Sequence, residues 1–158
     1  MTDRELFAEV MKDLGRELGR DFSTDENEWT IPLFGGNVNV CLRYAEESNL
    51  VLALVPVTPL AGKPFSMAPR NWLLLEMNAF FRESAGCTLA VDPETGMLTA
   101  VDRRAVRYFP SAGAVGNYVR KLGEFARTLK HEVRSLEDRV EMAIESQINA
   151  EDEGRAEP

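Results

Sequence analysis

The sequence predicts an α+β domain in which helices pack on an antiparallel sheet, in the order helix, three strands, helix, two strands, helix. Three patterns lead to this fold class. Apolar residues recur at three- and four-residue spacing near both ends of the chain, which is typical of amphipathic helices. Alternating apolar and polar residues over 28–44, and an apolar run at 50–57, are typical of strands. The length of 158 residues and the 44% hydrophobic share favour one domain with a real core.

The first helix is predicted over residues 3–20. Its apolar stripe consists of Leu6, Phe7, Val10, Leu14 and Leu18. Thr2 and Glu5 have capping-box spacing at the start of this segment, and Gly19 is the expected stop. Gly15 lies inside the pattern, where glycine costs about 1 kcal/mol relative to alanine. We therefore expect Gly15 to mark close packing against a strand.

Three strands are predicted next, at 28–34, 37–44 and 50–57, with a hairpin connection at Gly35-Gly36-Asn37 between the first two. Pro32 cannot donate to a ladder, so the first strand belongs at an edge of the sheet or carries a bulge. The third strand is apolar on both faces. We expect it to be central and covered on both sides.

The middle helix is predicted over 69–85, after an irregular stretch at 58–68, and it is apolar nearly all the way round. Its apolar residues are Trp72, Leu73, Leu74, Leu75, Met77, Ala79, Phe80 and Phe81. A helix of this kind must be covered on two sides, and in a domain this small one sheet covers only one of them. We therefore predict a homodimer. The residues expected in its interface are Trp72, Leu75, Met77, Ala79 and Phe80.

The C-terminal part of the chain is predicted to hold a hairpin and a long helix. The hairpin consists of strands at 87–91 and 97–101 and of the turn Asp92-Pro93-Glu94-Thr95-Gly96. Residues 102–110 are expected to be irregular. The last helix is predicted over 112–148, with a heptad-like apolar seam. Residues 1–148 thus form the predicted domain, and 149–158 are interpreted as a disordered acidic tail.

The charge excludes some classes of partner. Lys and Arg number 18 and Asp and Glu number 26, which gives a net charge of −8. A nucleic-acid-binding protein needs a basic face, so the charge argues against that class, and it disfavours an anionic membrane surface as well. No apolar run approaches the roughly 20 residues of a membrane span, and the N-terminus has no signal-peptide pattern. We expect a cytoplasmic protein whose two cysteines, Cys41 and Cys87, are reduced.

No motif for a catalytic, cofactor or metal site is recognisable in the sequence. The single histidine, His131, is expected to lie off the seam of the last helix, and no histidine lies near Cys41 or Cys87 in sequence. Asp92 and Glu94 are explained by the hairpin turn. We therefore expect no catalytic residue, cofactor or metal ligand, and we interpret the chain as a non-enzymatic protein-binding domain. The alternative is a small-ligand-binding or enzymatic α+β domain with an unrecognised pocket.

The stretch NWLLLEMNAFFRESAGCTLAVDPETGMLTAV at residues 71–101 carries a family resemblance. Its leucine-rich helix, its Asn before an aromatic pair, its Gly-closed turn and its strand–DPETG–strand hairpin resemble the class I type III secretion chaperones, the Tir-chaperone-like family. The first helix, ending in LGRELG, and the stripe from Tyr118 to Leu129 are similar to that family's opening and closing helices. The resemblance covers residues 4–135 of the 158.

The resemblance implies a small acidic homodimer in the bacterial cytoplasm that does not hydrolyse ATP. Its function would be to bind the N-terminal segment of a secreted effector in extended form, keep it soluble and hand it to the secretion machinery. The implied partners are that effector segment, a second copy of the chain and, as a further candidate, the ATPase of the secretion apparatus. Residues 137–158 run past the family's usual end, and the resemblance assigns them no role.

The sequence also suggests where such a client would bind. An edge strand that contains a proline keeps one side open to an added chain. The apolar residues near it exceed what one narrow helix face can cover. We therefore expect a client groove with the helix at 3–20 as one wall. The residues expected to line it are Ile31, Leu33, Phe34, Val38 and Val40. The alternative is that these five residues are ordinary core residues.

Overall fold

Three helices and five strands make up the part of the chain that the computed structural model describes, residues 1–60, 67–79 and 86–155. In chain order they are α1 (Asp3–Glu17), β1 (Glu28–Leu33), β2 (Val38–Ala45), β3 (Leu50–Pro59), α2 (Met67–Ala79), β4 (Thr88–Val91), β5 (Met97–Ala105) and α3 (Ala112–Arg155). Short 3₁₀ turns follow β1 at Phe34–Gly36 and β5 at Val106–Tyr108. The predicted α+β fold class and order of elements are confirmed.

The strands form one antiparallel sheet in the order β1-β2-β3-β5-β4. β1 and β4 are its edges, so Pro32 lies on an edge strand as predicted, opposite Asn39 of β2. β3 is central, also as predicted. The expectation that β3 is covered on both sides is wrong, because only one face is fully buried. Leu52 and Leu54 on its other face are half-buried.

The core lies between the sheet and the helices α1 and α3. Phe7 of α1 contacts Trp29 of β1 and Phe109, with ring centroids 5.5 and 5.6 Å apart. The buried stripe of α3 consists of Val115, Val119, Leu122, Ala126, Leu129 and Val133. These six residues follow the heptad-like seam, which is therefore the side of α3 that packs on the domain.

Helix α1 begins at the predicted capping box. The N–H of Glu5 donates to Thr2 Oγ1 at 3.2 Å, and the N–H of Thr2 donates to Glu5 Oε2 at 2.7 Å. Accepting this backbone hydrogen bond lowers the pKa of Glu5 below its ordinary value. The two bonds satisfy backbone donors that the first turn of a helix would otherwise leave open.

The end of α1 corrects the prediction for Gly15. The helix ends at Glu17, and Gly19 takes up a left-handed φ of 66° as the chain reverses. A Cβ at Gly15 would lie 2.8 Å from the carbonyl oxygen of Arg20. Gly15 therefore allows the chain that follows α1 to fold back onto the helix, and its close neighbour is this returning segment rather than a strand.

Three boundaries differ from the sequence prediction. Helix α2 begins at Met67, and its predicted end at 80–85 lies outside the described residues. β5 continues to Ala105, whereas the sequence predicts irregular structure from residue 102 onward. Helix α3 continues to Arg155, although the sequence pattern predicts a disordered tail from residue 149 onward. Alanine and glutamate favour helix whether or not an apolar stripe is present, so the missing stripe does not exclude a helix there.

Candidate interaction surfaces

Three of the five residues predicted to line a client groove lie in the core. Ile31, Val38 and Val40 are 2%, 6% and 0% exposed. Ile31 and Val40 are opposite each other in the β1–β2 ladder, on the face that α3 covers. These three side chains line no open groove in this structure, and for them the alternative of ordinary core residues holds.

The other two, Leu33 and Phe34, are half-buried where the hairpin meets α3. Phe34 has a left-handed φ of 52°, and the two glycines after it have φ of 68° and 86°. A bulky residue in this region is strained unless its surroundings hold it there. Arg127 of α3 helps to do so, because its guanidinium carbon lies 4.6 Å from the centre of the Phe34 ring. A Cβ at Gly123 of α3 would clash with Leu33, so this glycine allows the close approach.

β1 presents a row of backbone groups at the free edge of the sheet. Tyr44 donates its N–H to the Asn27 carbonyl at 2.8 Å. Because bonding alternates along an antiparallel strand, the backbone groups of every second residue after Asn27, namely 29, 31 and 33, also point to β2. The residues between them, Glu28, Thr30 and Pro32, direct their backbone groups away from the sheet. Within the described residues none of these groups has a hydrogen-bond partner. Since proline has no N–H, the edge offers two N–H and three C=O groups to an added strand.

The face of the sheet opposite α1 and α3 is open. Its half-buried apolar centre consists of Cys41, Leu52, Leu54 and Val101. Leu52 lies between Arg43 of β2 and Arg103 of β5, and both arginines are exposed. None of the described side chains on this face is fully buried. An apolar centre with a polar rim is typical of a surface that another chain covers.

Helix α2 has an outward and an inward face. Trp72 and Leu75 are 68% and 64% exposed, whereas Leu74 and Met77 are 8% and 4% exposed. Of the residues predicted in a dimer interface, Trp72 and Leu75 therefore lie at the surface. Met77 lies in the core, because it shares the inward face with Leu74, three residues before it. Two further predicted positions, the Ala79 side chain and Phe80, lie outside what the structure describes.

Polar contacts hold α2 near both of its ends. Arg70 donates from Nη1 to Glu137 Oε1 of α3 at 3.0 Å, with 5% and 18% of the two side chains exposed. Asn78 donates from Nδ2 to the Leu89 carbonyl at 2.9 Å and accepts the Leu89 N–H at 2.7 Å. The helix is thus fixed to α3 at one end and to the edge strand β4 at the other.

A groove of about 770 Å³ lies between α2 and α3. Trp72, Leu73 and Met77 line it from one side, and His131 and Leu136 line it from the other. His131 is exposed and, among the residues that the structure describes, it has no hydrogen-bond partner. A general base needs a partner to orient it, so the groove holds no recognisable catalytic arrangement.

A buried carboxylate lies in the part of β5 that continues past the predicted end. Asp102 is 8% exposed and accepts hydrogen bonds from Tyr118 Oη and Arg104 Nε, each at 2.8 Å. Burial, and then the Asp102 charge, raise the pKa of Tyr118. The hydrogen bond to Asp102 raises the pKa of Arg104. These hydrogen bonds tie β5 to α3. Asp102, Arg104 and Tyr118 are partners of one another, so none of the three is available as a catalytic group.

Both cysteines are in environments that disfavour the thiolate. Burial raises the pKa of Cys41 to about 11, and the nearby Glu28 carboxylate adds to the effect. Burial also raises the pKa of Cys87 to about 11, with Asp102 as a second cause. Nucleophilic and metal-binding cysteines act as thiolates. In residues 1–60, 67–79 and 86–155, no group of three His, Cys, Asp or Glu side chains could hold a metal ion.

The described helices include none that is both long and apolar enough to cross a membrane.

Most of the chain matches the model of one protein family. The model of the Tir chaperone protein (CesT) family matches residues 9–105, from α1 to the end of β5. The chain belongs to the Tir chaperone protein family. The resemblance seen in residues 71–101 is therefore confirmed. The family match ends before α3, so the helix that covers the first hairpin lies outside it.

Solved structures similar to this Tir chaperone family member share its fold. A chain of the HopA1–SchA chaperone–effector complex has 16% identity and a TM-score of 0.63, covering 81% of this chain and 95% of that one. A chain of the ExsC–ExsE complex has 15% identity and a TM-score of 0.63, covering 79% and 91%. A chain of the ExoU–SpcU complex from the type III secretion system of Pseudomonas aeruginosa has 16% identity and a TM-score of 0.54, covering 78% and 93%. No curated protein matches the chain significantly.

Sequence reasoning missed the open face of the sheet. The apolar run at 50–57 predicts a strand covered on both sides, whereas one of its faces is only half-buried. The signal that could have corrected this interpretation lies in the neighbouring strands. Arg43 and Arg103 flank Leu52 in the ladder, and two charged side chains beside a residue indicate a solvated face.

Proposed function

We propose that this protein is a class I type III secretion chaperone, which binds the N-terminal segment of a secreted effector and keeps it soluble and export-competent in the bacterial cytoplasm. The family match over residues 9–105 is the observation that carries the proposal. A non-catalytic function is supported by the described residues, because neither cysteine is activated and His131 has no orienting partner among them. The chain then acts by binding alone.

An extended effector segment would dock along the free edge of β1. The outward backbone groups of Glu28, Thr30 and Pro32 supply main-chain hydrogen bonds that any extended client can make. Leu33 and Phe34, half-buried at the end of this strand, add apolar contacts that depend on the client's side chains. The client remains threadable, because it pairs with the sheet of the chaperone and builds no core of its own.

The second proposed partner is another copy of the chain, bound through the outward face of α2. Trp72 and Leu75 are three residues apart on this face, and 68% and 64% of their surfaces are exposed. A two-fold arrangement would cover both side chains with the same face of the second copy. The net charge of −8 on each copy would then oppose further association.

Co-expression with N-terminal fragments of secreted proteins encoded near its gene tests the function. We expect one such fragment to co-purify with the chain in stoichiometric amount and to be insoluble when expressed alone. Phe34→Asp should weaken this complex about tenfold, because it removes an apolar contact next to the β1 edge. Met142→Asp is the matched control, since Met142 is 67% exposed on the distal part of α3. If no secreted fragment co-purifies with the unaltered chain, the proposed function is wrong.

A further inference from the structure

The two edges of the sheet differ in how their outward backbone groups are satisfied. At the β4 edge, the hairpin bond from Asp92 N–H to the Met97 carbonyl is 2.9 Å long and sets the alternation of the ladder. Every second residue of β4 bonds to β5 in the same way as Asp92, so the backbone groups of Thr88 and Ala90 also point to β5. Leu89 and Val91 therefore direct their backbone groups away from the sheet.

The side chain of Asn78 occupies the outward position beside Leu89. It accepts the Leu89 N–H at 2.7 Å and donates to the Leu89 carbonyl at 2.9 Å. These are the two bonds that a neighbouring strand would make to the same residue. A primary amide has one acceptor and one donor side by side, so it reproduces the pairing of a backbone peptide unit.

The rest of α2 keeps Asn78 in this position. Arg70 is fixed to Glu137 of α3, and Leu74 and Met77 lie buried on the same inward face. With Leu89 occupied, Val91 is the remaining outward position of a strand of four residues. One open residue is too short a template for an added strand, which needs alternate bonds along its length.

The β1 edge lacks such a cover within the described residues. Glu28 and Thr30 have outward N–H and C=O groups, and Pro32 adds a carbonyl. We propose that Asn78 acts as a surrogate strand that closes the β4 edge, so that an extended client segment adds to the sheet along β1. Asn78 thereby determines which edge a client takes. This consequence rests on the proposed function, whereas the closure itself is a property of the free protein.

Amide hydrogen exchange of the free, full-length protein tests the closure. In the unaltered chain, the Leu89 amide should exchange more slowly than the amides of Thr30 and Val91. Asn78→Leu keeps the volume of the side chain and removes both polar partners, so the Leu89 amide should exchange about tenfold faster or more. The Ala90 amide, which bonds to β5, should stay within about twofold of its original rate.

Two further variants separate a specific bond from a general loosening of α2. Asn78→Asp retains an acceptor for the Leu89 N–H, so the slow exchange of Leu89 should persist. Asn71→Ala changes an exposed asparagine of the same helix and should leave Leu89 unaffected. If Leu89 in the unaltered chain exchanges as fast as Thr30, the proposal is overturned, whether or not Asn78→Leu folds. Equal acceleration of Leu89 and Ala90 in both Asn78 variants would overturn it too.

Exchange in the complex with the co-purifying secreted fragment tests the consequence. We expect the client to slow exchange at Glu28 and Thr30 in the unaltered chain, and additionally at Leu89 and Val91 in Asn78→Leu. Protection of β4 in the unaltered chain, or of neither edge in both proteins, would overturn the assignment of edge choice to Asn78. Failure of the proposed function gives a different result, since then no fragment co-purifies at all.

Discussion

Val38 and Phe34 flank the same turn, yet they should respond differently to substitution by aspartate. Val38 is 6% exposed under α3, so Val38→Asp places an unpaired charge in the core and should abolish cooperative unfolding. Phe34 is half-buried with a φ of 52°, a region that aspartate tolerates better than phenylalanine. Phe34→Asp should therefore fold and lose at most about 2 kcal/mol. Urea denaturation monitored by circular dichroism tests both variants, and an unfolded Phe34→Asp variant would contradict the prediction.

The stability of the protein should fall at alkaline pH because its two thiols are held in the neutral form. Burial raises the pKa of Cys41 and Cys87 from 9.0 to about 11. As pH rises, the unfolded chain releases these protons first. The free energy of unfolding is therefore at its full value below pH 9 and declines between pH 9 and about 11.

A double variant isolates this effect of the thiols. The free energy of unfolding from urea titrations at about pH 8 and about pH 10.5 should drop less in Cys41→Ala/Cys87→Ala than in the unaltered chain. Tyr118, whose pKa burial also raises, is present in both proteins, so the difference between them reports the cysteines. An equal drop in the two proteins would refute the prediction.

At the scale of elements, the outward face of α2 should control the oligomeric state. Light scattering of the unaltered chain should give about twice 17.7 kDa. Trp72→Asp should give a folded monomer, because the side chain is 68% exposed within one copy and is covered only in the proposed dimer. Tyr108→Asp, at a 58% exposed position outside α2, should remain a dimer. A monomeric unaltered chain at micromolar concentration would contradict the interface.

The free edge of β1 can be blocked without breaking its own ladder. Thr30 directs its N–H away from β2, so Thr30→Pro removes an outward donor and leaves the β1–β2 bonds in place, as Pro32 already does. Co-purification of the client fragment should fall about tenfold. Thr30→Val keeps the N–H and should bind as the unaltered chain does. Equal binding by the proline and valine variants would place the client elsewhere.

The pattern of each segment predicted the elements, but long-range packing decided which of their faces are covered. Alternation placed Ile31 and Val40 on one face of the first hairpin, yet only α3, far along the chain, makes that face the core. The all-round apolarity of α2 predicts cover on two sides; one side is buried within the copy, and cover of the other by a second copy stays a prediction. It could not show which face is inward, since the contact of Arg70 with Glu137 joins residues 67 positions apart. Residues of this kind are identified by three-dimensional contacts and not by local periodicity.

At the scale of the whole molecule, the chain divides into a packed domain and a projecting helix. Helix α3 has 44 residues, which is about 66 Å at 1.5 Å per residue. The last of its fully buried hydrophobic side chains in the described part is Val133, and Glu137 is the partner of Arg70. The family match ends at residue 105, before α3 begins. The last turns of α3 are therefore separable from both the core and the family fold.

Removal of residues 147–158 should leave the fold, the dimer and client binding unchanged. The deleted residues hold four acidic side chains and one arginine, so the net charge changes from −8 to −5. The side chains of residues 147–150 are exposed. The thermal midpoint should shift by less than about 2 °C. Glu137→Ala in the full chain is the contrasting variant, because it removes the charged hydrogen bond between α3 and the buried Arg70 and should cost about 2 kcal/mol. If the truncated chain loses the dimer or the client while Glu137→Ala keeps both, the projecting helix belongs to the interface, and the division into domain and projection is wrong.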